Sequence, residues 1–153
     1  MAKNVPIVAD SLQNVVIDGK TVGFKFKACL ANARVLAGRG CFISLVDGFY
    51  ISVDGEEYPR EAQSVEIHGI TARSMDEIKI ACWEHWDTTE YAWIYVDKEG
   101  GLETGEHKIT YMPSVLAAYF KAQDYWVENP PALNADFKGP ADYKANTFVC
   151  TLK

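Results

Sequence analysis

The sequence lacks three features: a long hydrophobic run, an excess of basic residues and a cluster of cysteines. Its 153 residues carry 15 Lys and Arg against 21 Asp and Glu, so the net charge is −6. A protein that binds nucleic acid or an anionic membrane needs a basic face. We therefore expect neither of them as a partner of this chain. No segment is long and apolar enough to span a bilayer, and no apolar run follows the N-terminal residues 1–6. We therefore expect a cytoplasmic protein without a signal peptide.

Residues that could hold a metal or form a disulfide are few and scattered. The four cysteines, which never form a Cys-x-x-Cys pair, are Cys29, Cys41, Cys82 and Cys150. The three histidines, which never form a His-x-His pair, are His68, His85 and His107. Cys82 and His85 have the spacing of half a zinc site, but no second half follows. We predict free thiols and no metal held by this chain.

Motifs for nucleophilic catalysis or phosphate binding are also missing. The sequence contains neither Gly-x-Ser-x-Gly nor Gly-x-Gly-x-x-Gly. We therefore assign no catalytic residue, and we expect a binding or subunit role.

Alternation of apolar and polar residues dominates what is present. Val22, Phe24, Phe26, Ala28 and Leu30 would share one face of a strand. The same period recurs over residues 49–53, 92–96 and 147–152, which are rich in β-branched and aromatic residues. The dipeptides Asp18-Gly19 and Asp54-Gly55 have the signature of tight hairpin turns.

Helical signals are few. Ser74 to Glu77 has capping-box spacing and predicts a helix of two or three turns. Residues 114–125 fit either a helix or a strand, and the prolines of residues 129–140 indicate a loop. With eight to ten predicted strands, the sequence predicts an all-β fold: a single antiparallel β-sandwich, jelly-roll-like, that spans residues 1–153 and has one or two short helices.

Aromatic residues are abundant, with four Trp, eight Tyr and seven Phe. Exposed rings can stack on sugars, so a stand-alone carbohydrate- or ligand-binding β-sandwich without catalysis is one interpretation. Packing in a core or an interface is the other, and we favour it. In particular, Trp83 and Trp86 are interpreted as two aromatic anchors of a turn.

Several segments together resemble the beta (small) subunit family of C-glycoside deglycosidases. The segments are Asp10–Lys20 with Gly23-Phe24, Arg39–Ser44, Val53–Glu56, Gly100–His107 and Tyr111–Pro113. They occur in the same order as in that family and together cover roughly residues 10–113. Two features depart from the family pattern: residues 31–38 are small and aliphatic, and the chain after Pro113 is long.

The resemblance implies a non-catalytic subunit that works with a larger alpha subunit. That partner would be a TIM barrel similar to sugar isomerases and epimerases, and it would hold a divalent metal, expected to be Mn²⁺. The complex would act as a carbon–carbon lyase on a 3-keto C-glycoside with an aromatic, flavonoid-like aglycone. The metal and the general base would both belong to the partner, and no cofactor would be bound by this chain.

The resemblance also gives candidates for contact with the partner. They are Arg39, Gly40, Gly100, Gly101, His107, Tyr111 and Pro113. An alternative remains open at this point: the glycines serve turns, and Tyr111 and Pro113 end a strand. For Arg39 and Tyr111 the two interpretations have equal weight, because Arg and Tyr are enriched in interface cores.

Overall fold

The computed structural model describes residues 5–33, 39–115 and 146–153. These residues form eleven strands and one short α-helix. The strands are β1 (Gln13–Ile17), β2 (Lys20–Ala28), β3 (Cys41–Phe42), β4 (Val46–Val53), β5 (Glu56–Tyr58), β6 (Gln63–Ile67), β7 (Ile70–Ser74), β8 (His85–Trp86), β9 (Ala92–Asp97), β10 (Gly105–Val115) and β11 (Thr147–Leu152), and the helix is α1 (Met75–Ile78). Single 3₁₀ turns occupy Ala9–Ser11, Ile43–Leu45 and Arg60–Ala62.

The strands form two antiparallel sheets that face each other, so the predicted all-β sandwich is confirmed. One sheet has the order β1-β2-β9-β6-β7 and the other the order β11-β10-β4-β5. Aromatic rings meet between them: Phe24 of β2 packs edge-on against Tyr58 of β5 at 5.3 Å, and Phe26 packs against Tyr111 of β10 at 5.8 Å. The buried apolar side chains of both sheets form one cluster. β3 and β8 pair separately as a short ribbon.

The predicted alternation is confirmed along most of β2 and β4. Phe24, Phe26, Ala28 and Phe49 are fully buried, and Ile51 is only 1% exposed. The prediction was wrong for Val22, which is 36% exposed. The register of β1 and β2 shifts at this point, with Val15 opposite Gly23 and Val16 opposite Thr21, so Val22 has no partner in β1. An irregularity of this kind re-aims the local side chains.

Both predicted hairpins are present. Ile17 pairs with Lys20 around Asp18-Gly19, and Val53 pairs with Glu56 around Asp54-Gly55. A third hairpin, between β6 and β7, turns at His68-Gly69 and was not predicted. At all three turns both central residues have positive φ, as a type I′ turn requires.

The predicted helix is present but shorter than expected. Ser74 and Glu77 form the capping box, yet α1 makes a single turn. Residues 114 and 115 continue β10, so the strand interpretation holds for the start of the ambiguous segment. Its remainder, 116–125, and the predicted loop 129–140 lie outside the described residues. In the part of the chain that the structure describes, no helix has the length and apolarity needed to cross a membrane.

Candidate functional site

Four charged side chains gather where the β6–β7 turn meets the chain entering β8. Arg73 donates two hydrogen bonds to the Glu84 carboxylate, both at 2.8 Å. The imidazole of His68 contacts Glu84 through Nδ1 at 2.5 Å and Glu90 through Nε2 at 2.9 Å. The cluster therefore ties the hairpin turn and β7 to the segment around β8.

The cluster shifts the pKa of Arg73, Glu84 and His68 toward their charged forms. The hydrogen bonds from Arg73 lower the pKa of Glu84 to about 2, against the opposing effect of burial. Burial disfavours the charged form of His68, but hydrogen bonds to Glu84 and Glu90 outweigh it and raise its pKa. Each group thus holds the others ionised.

The β3–β8 ribbon lies beside this cluster. Cys41 pairs with Trp86 and Phe42 pairs with His85, whose ring meets the Phe42 ring edge-on at 5.7 Å. Gly40 precedes the ribbon with φ +74°, and a Cβ there would collide with the backbone of Trp86. Only glycine lets the chain approach this closely, so the turn interpretation of Gly40 has a physical basis. Arg39 is exposed.

The two tryptophans predicted as anchors have different surroundings. Trp86 is fully buried, and its indole N–H donates to the carbonyl of Glu90 at 2.7 Å. Trp83 is 90% exposed, so of the two expected uses, core or interface packing, it does not serve the core of this chain. It lies at the tip of the turn before Glu84, whose side chain points back to Arg73.

A second group of candidates lies at the opposite end of the sheets. β2 and β9 pair Ala28 with Ala92 at the end of the sheet near the β3–β8 ribbon, and they pair Gly23 with Asp97 at the other end. The loop of residues 98–104 follows Asp97 there. Gly100 and Gly101 lie in this loop with φ of +79° and +64°.

Gly101 packs against the β1–β2 hairpin. A Cβ at Gly101 would collide with the side chains of Asn14 and Thr21. Asn14 in turn bonds the loop backbone twice, donating to the carbonyl of Leu102 and accepting from its N–H, both at 2.9 Å. The two glycines therefore serve a tight internal loop.

His107 joins the same end of the sandwich. Its Nδ1 lies 2.6 Å from the Asp54 carboxylate and its Nε2 lies 2.7 Å from the carbonyl of Glu103. Burial lowers the pKa of His107, but the hydrogen bonds from both ring nitrogens reverse this and raise it. The ring, only 11% exposed, links β10 to the β4–β5 turn and to the loop.

The last two candidates lie in β10 and are buried. Tyr111 is fully buried, stacks on Phe49 with ring centroids 5.6 Å apart, and donates its hydroxyl to the carbonyl of Cys29 at 3.0 Å. Pro113 is buried opposite Phe49 of β4. The structure thus brings Arg39 and Gly40 together at one end, Gly100, Gly101 and His107 at the other, and places Tyr111 and Pro113 in the interior of this chain.

A polar groove runs over the outer face of the four-stranded sheet. Its volume is about 640 Å³. The lining includes Tyr50, Ser52, Lys108 and Thr110, and the Tyr50 hydroxyl donates to Glu57 at 2.8 Å. The groove therefore places hydroxyl groups beside one aromatic ring, that of Tyr50.

All four cysteines are free, and three of them are buried. Burial raises the pKa of Cys41 to about 12 and that of Cys150 to about 11, which keeps both as unreactive thiols. Within residues 5–33, 39–115 and 146–153, no group of three or more His, Cys, Asp or Glu side chains has an arrangement that could hold a metal ion.

The fold and these contacts define a class: an all-β sandwich in which ion pairs such as Arg73–Glu84 and His107–Asp54 join separate elements. The family model of the C-glycoside deglycosidase beta subunit matches residues 2–119. The chain therefore belongs to the C-glycoside deglycosidase beta subunit family. A search of curated proteins finds none that matches it.

Sequence reasoning missed the two most distinctive features of the ribbon end. The Arg73–Glu84 pair joins residues in different elements, and no local pattern marks it. Trp83 was predicted to pack in a core or an interface, but the sequence did not distinguish between the two. The available signal was its position between the end of a capped helix and Glu84, where a turn must place one side chain outward.

Proposed function

We propose that this chain is the accessory subunit of a carbon–carbon lyase that removes aromatic aglycones from 3-keto C-glycosides. The observation that carries the proposal is the family match over residues 2–119. A beta subunit implies a partner, and we propose that the partner is the larger, epimerase-like TIM barrel. The metal, Mn²⁺ by this proposal, and the general base belong to that barrel.

The proposed chemistry follows from the bond that must break. The carbon–carbon bond to an aryl ring has no lone pair to protonate, so the acid-assisted departure used by O-glycosidases fails. A ketone at sugar carbon 3 acidifies the hydrogen on carbon 2, and a metal that polarises the ketone increases this acidity.

The elimination then balances in one step. The base takes the proton from carbon 2, and the released electron pair forms the double bond between carbons 1 and 2. The bond from carbon 1 to the aryl ring breaks, and the ring carbon takes up a proton with help from its flanking phenol. The products are the free aglycone and an unsaturated anhydro-keto sugar.

In this proposal the present chain stabilises the barrel and excludes water from its pocket. Removing water strengthens the electrostatic interactions on which the elimination depends. The dense ion pairs and buried rings of this chain suit a rigid supporting part.

The test is an assay of aglycone release from a 3-keto C-glucoside. This chain, the larger subunit and their mixture are assayed separately, and an unrelated β-sandwich protein replaces this chain in the control. We expect turnover only in the mixture of the two subunits. Full turnover by the larger subunit alone, or turnover by this chain alone, would contradict the assigned roles.

A second candidate function, sugar binding without catalysis, is favoured by the hydroxyl-lined groove at Tyr50. Titration of the isolated chain with glucose and with a C-glucoside would test it. Saturable binding that Tyr50→Ala abolishes would support this function. Absence of binding to the isolated chain would leave the subunit role as the explanation.

A further inference from the structure

We propose that the larger subunit binds at the ribbon end of the sandwich and that Trp83 is the anchor of the interface. The ribbon end comprises β3, β8, residues 79–84 and the preceding Arg39-Gly40. This inference rests on the proposed function, because it takes the partner to be the larger subunit of the same complex.

The first support is the apolar surface exposed there. Trp83 is 90% exposed, Ile80 is 78% exposed and Phe42 is 48% exposed. The two rings and the aliphatic side chain together expose about 450 Å², given the roughly 150–250 Å² that a large side chain can bury. That sum is more than half of the ~800 Å² that each partner contributes to a standard interface.

The second support is that the backbone of the turn carrying Trp83 is ordered before any partner arrives. The N–H of Glu84 donates to the carbonyl of Ala81 at 3.2 Å, and the carbonyl of Glu84 accepts from the N–H of Ile43 at 2.8 Å. The Glu84 side chain is fixed by Arg73 and His68. Binding therefore has to order the Trp83 side chain but not the backbone of the turn, which reduces the entropic cost of association.

The third support is the charge around the patch. Glu84 is paired with Arg73 and His68, and His85 lies 2.8 Å from Asp87. The Arg73 guanidinium compensates the Glu84 carboxylate that follows Trp83, so the exposed rings lie beside a paired charge. Such a surface suits the apolar centre and polar rim of a protein interface rather than an anionic ligand.

The opposite end of the sandwich also exposes apolar side chains, but they are aliphatic: Val16 is 60% exposed and Ile17 is 56% exposed in the β1–β2 hairpin. Among the described residues, the exposed aromatic rings are those of Phe42, Trp83 and Tyr91, and none belongs to that hairpin. Segments that resemble the family lie at both ends, with Arg39 and Gly40 next to β3 at the ribbon end. Because aromatic residues are the side chains that most often anchor interfaces, the ribbon end is the stronger candidate.

The experiment compares variants for binding to the purified larger subunit by titration calorimetry. Trp83→Ala removes the proposed anchor, and Ile80→Ala shortens the exposed aliphatic side chain three residues before it. Ile17→Ala is the matched control, because Ile17 is also exposed, at 56%, but belongs to the β1–β2 hairpin at the other end. Thermal unfolding of each isolated variant establishes that it is folded.

We expect Trp83→Ala to raise Kd by about 30-fold or more, as loss of an aromatic hot spot does. Ile80→Ala should raise Kd less, and Ile17→Ala should leave it unchanged. Wild-type affinity in Trp83→Ala, or an equal loss in Ile17→Ala, would overturn the proposed surface while the subunit role stands. Failure of the wild-type chain to bind the larger subunit would instead overturn the proposed function. A Trp83-dependent dimer of the isolated chain, seen by size-exclusion chromatography, would assign the surface to a second copy and refute the proposal.

Discussion

Glu84 shows how one carboxylate can organise an end of the molecule. Its pKa of about 2 means that it stays charged in the folded protein well below the pH at which it is protonated in the unfolded chain. A group with a lowered folded pKa contributes stability above its unfolded pKa, and this contribution is lost as the pH falls through the folded pKa. The relevant window therefore runs from the ordinary glutamate value of 4.5 down to about 2.

We expect Glu84→Gln to lower the free energy of unfolding at pH 7 by about 2 kcal/mol, the usual size for hydrogen bonds to a charged group. In a domain of this size that corresponds to a Tm lower by roughly 6 °C. The difference between wild type and variant should shrink between pH 4.5 and pH 2. Thermal unfolding followed by circular dichroism measures it, and a constant difference across that range would contradict the role of the charge. Glu57→Gln, at an exposed carboxylate, is the control.

Tyr111 makes a different kind of contribution, through burial. We expect Tyr111→Phe to reduce the free energy of unfolding by about 1 kcal/mol, because it deletes the hydroxyl that bonds the Cys29 carbonyl. Tyr50→Phe removes an exposed hydroxyl bonded to Glu57 and should change stability by less than about 0.5 kcal/mol. Urea denaturation of both variants makes the comparison. Equal losses would show that burial of the Tyr111 hydroxyl does not matter.

At the scale of elements, His107 joins three parts of the chain: β10, the β4–β5 turn and the loop of residues 98–104. A histidine with a raised folded pKa contributes stability below its unfolded value of 6.5, and this contribution is lost as the pH rises through the folded pKa. The lowered pKa of Asp54, caused first by the backbone hydrogen bond from Lys108, keeps that carboxylate charged in the acidic range.

Asp54→Asn tests this link without changing the turn, since Asn tolerates the positive φ of 51° found there. We expect the variant to be less stable than wild type at pH 6 by up to about 1 kcal/mol, as for a partly exposed ion pair. The difference should narrow at pH 9, where the imidazole is neutral. Urea denaturation at pH 6 and pH 9 measures the difference in free energy of unfolding between the variant and wild type. A larger difference at pH 9 than at pH 6 would contradict the proposed link between His107 and Asp54. Asp18→Asn, in the corresponding turn between β1 and β2, controls for the effect of Asn itself.

Elements of this fold were predictable where the signal is local. Alternation places Phe24, Phe26 and Phe49 inside because neighbouring side chains of a strand point to opposite faces. The Asp-Gly turns are equally local. The β3–β8 ribbon was not predictable, since two-residue strands carry no period, and the order β1-β2-β9-β6-β7 depends on pairing between distant segments.

The candidate site was less predictable for the same reason. Arg73 and Glu84 meet only because the chain turns through α1 and returns to β7. The sequence assigned the same anchoring role to Trp83 and Trp86, and the fold shows that Trp86 is buried while Trp83 is exposed. Tyr111 resembled an interface residue in sequence and is a core residue in the fold.

For the whole molecule, binding of a partner at one end has a thermodynamic consequence for the entire fold. A partner that binds only the folded chain stabilises it by mass action. When the free larger subunit is at about 100 times Kd, the free energy of unfolding of the present chain increases by roughly 2.7 kcal/mol. Amide protons that exchange only through global unfolding then exchange about 100-fold more slowly. Hydrogen exchange can read this gain from peptides of the present chain even while the partner is in excess.

We therefore expect core strands such as β4 and β9 to exchange about 100-fold more slowly in the presence of saturating larger subunit. Residues 79–86 should gain further protection by direct coverage, whereas the β1–β2 turn at Asp18-Gly19 should exchange as it does in the free chain. Trp83→Ala at the same concentrations should reduce both effects together, because weaker binding lowers the occupied fraction. Unchanged exchange in the core strands of the wild-type chain would mean that no complex forms. Protection concentrated at the β1–β2 turn would place the interface at the opposite end of the sandwich.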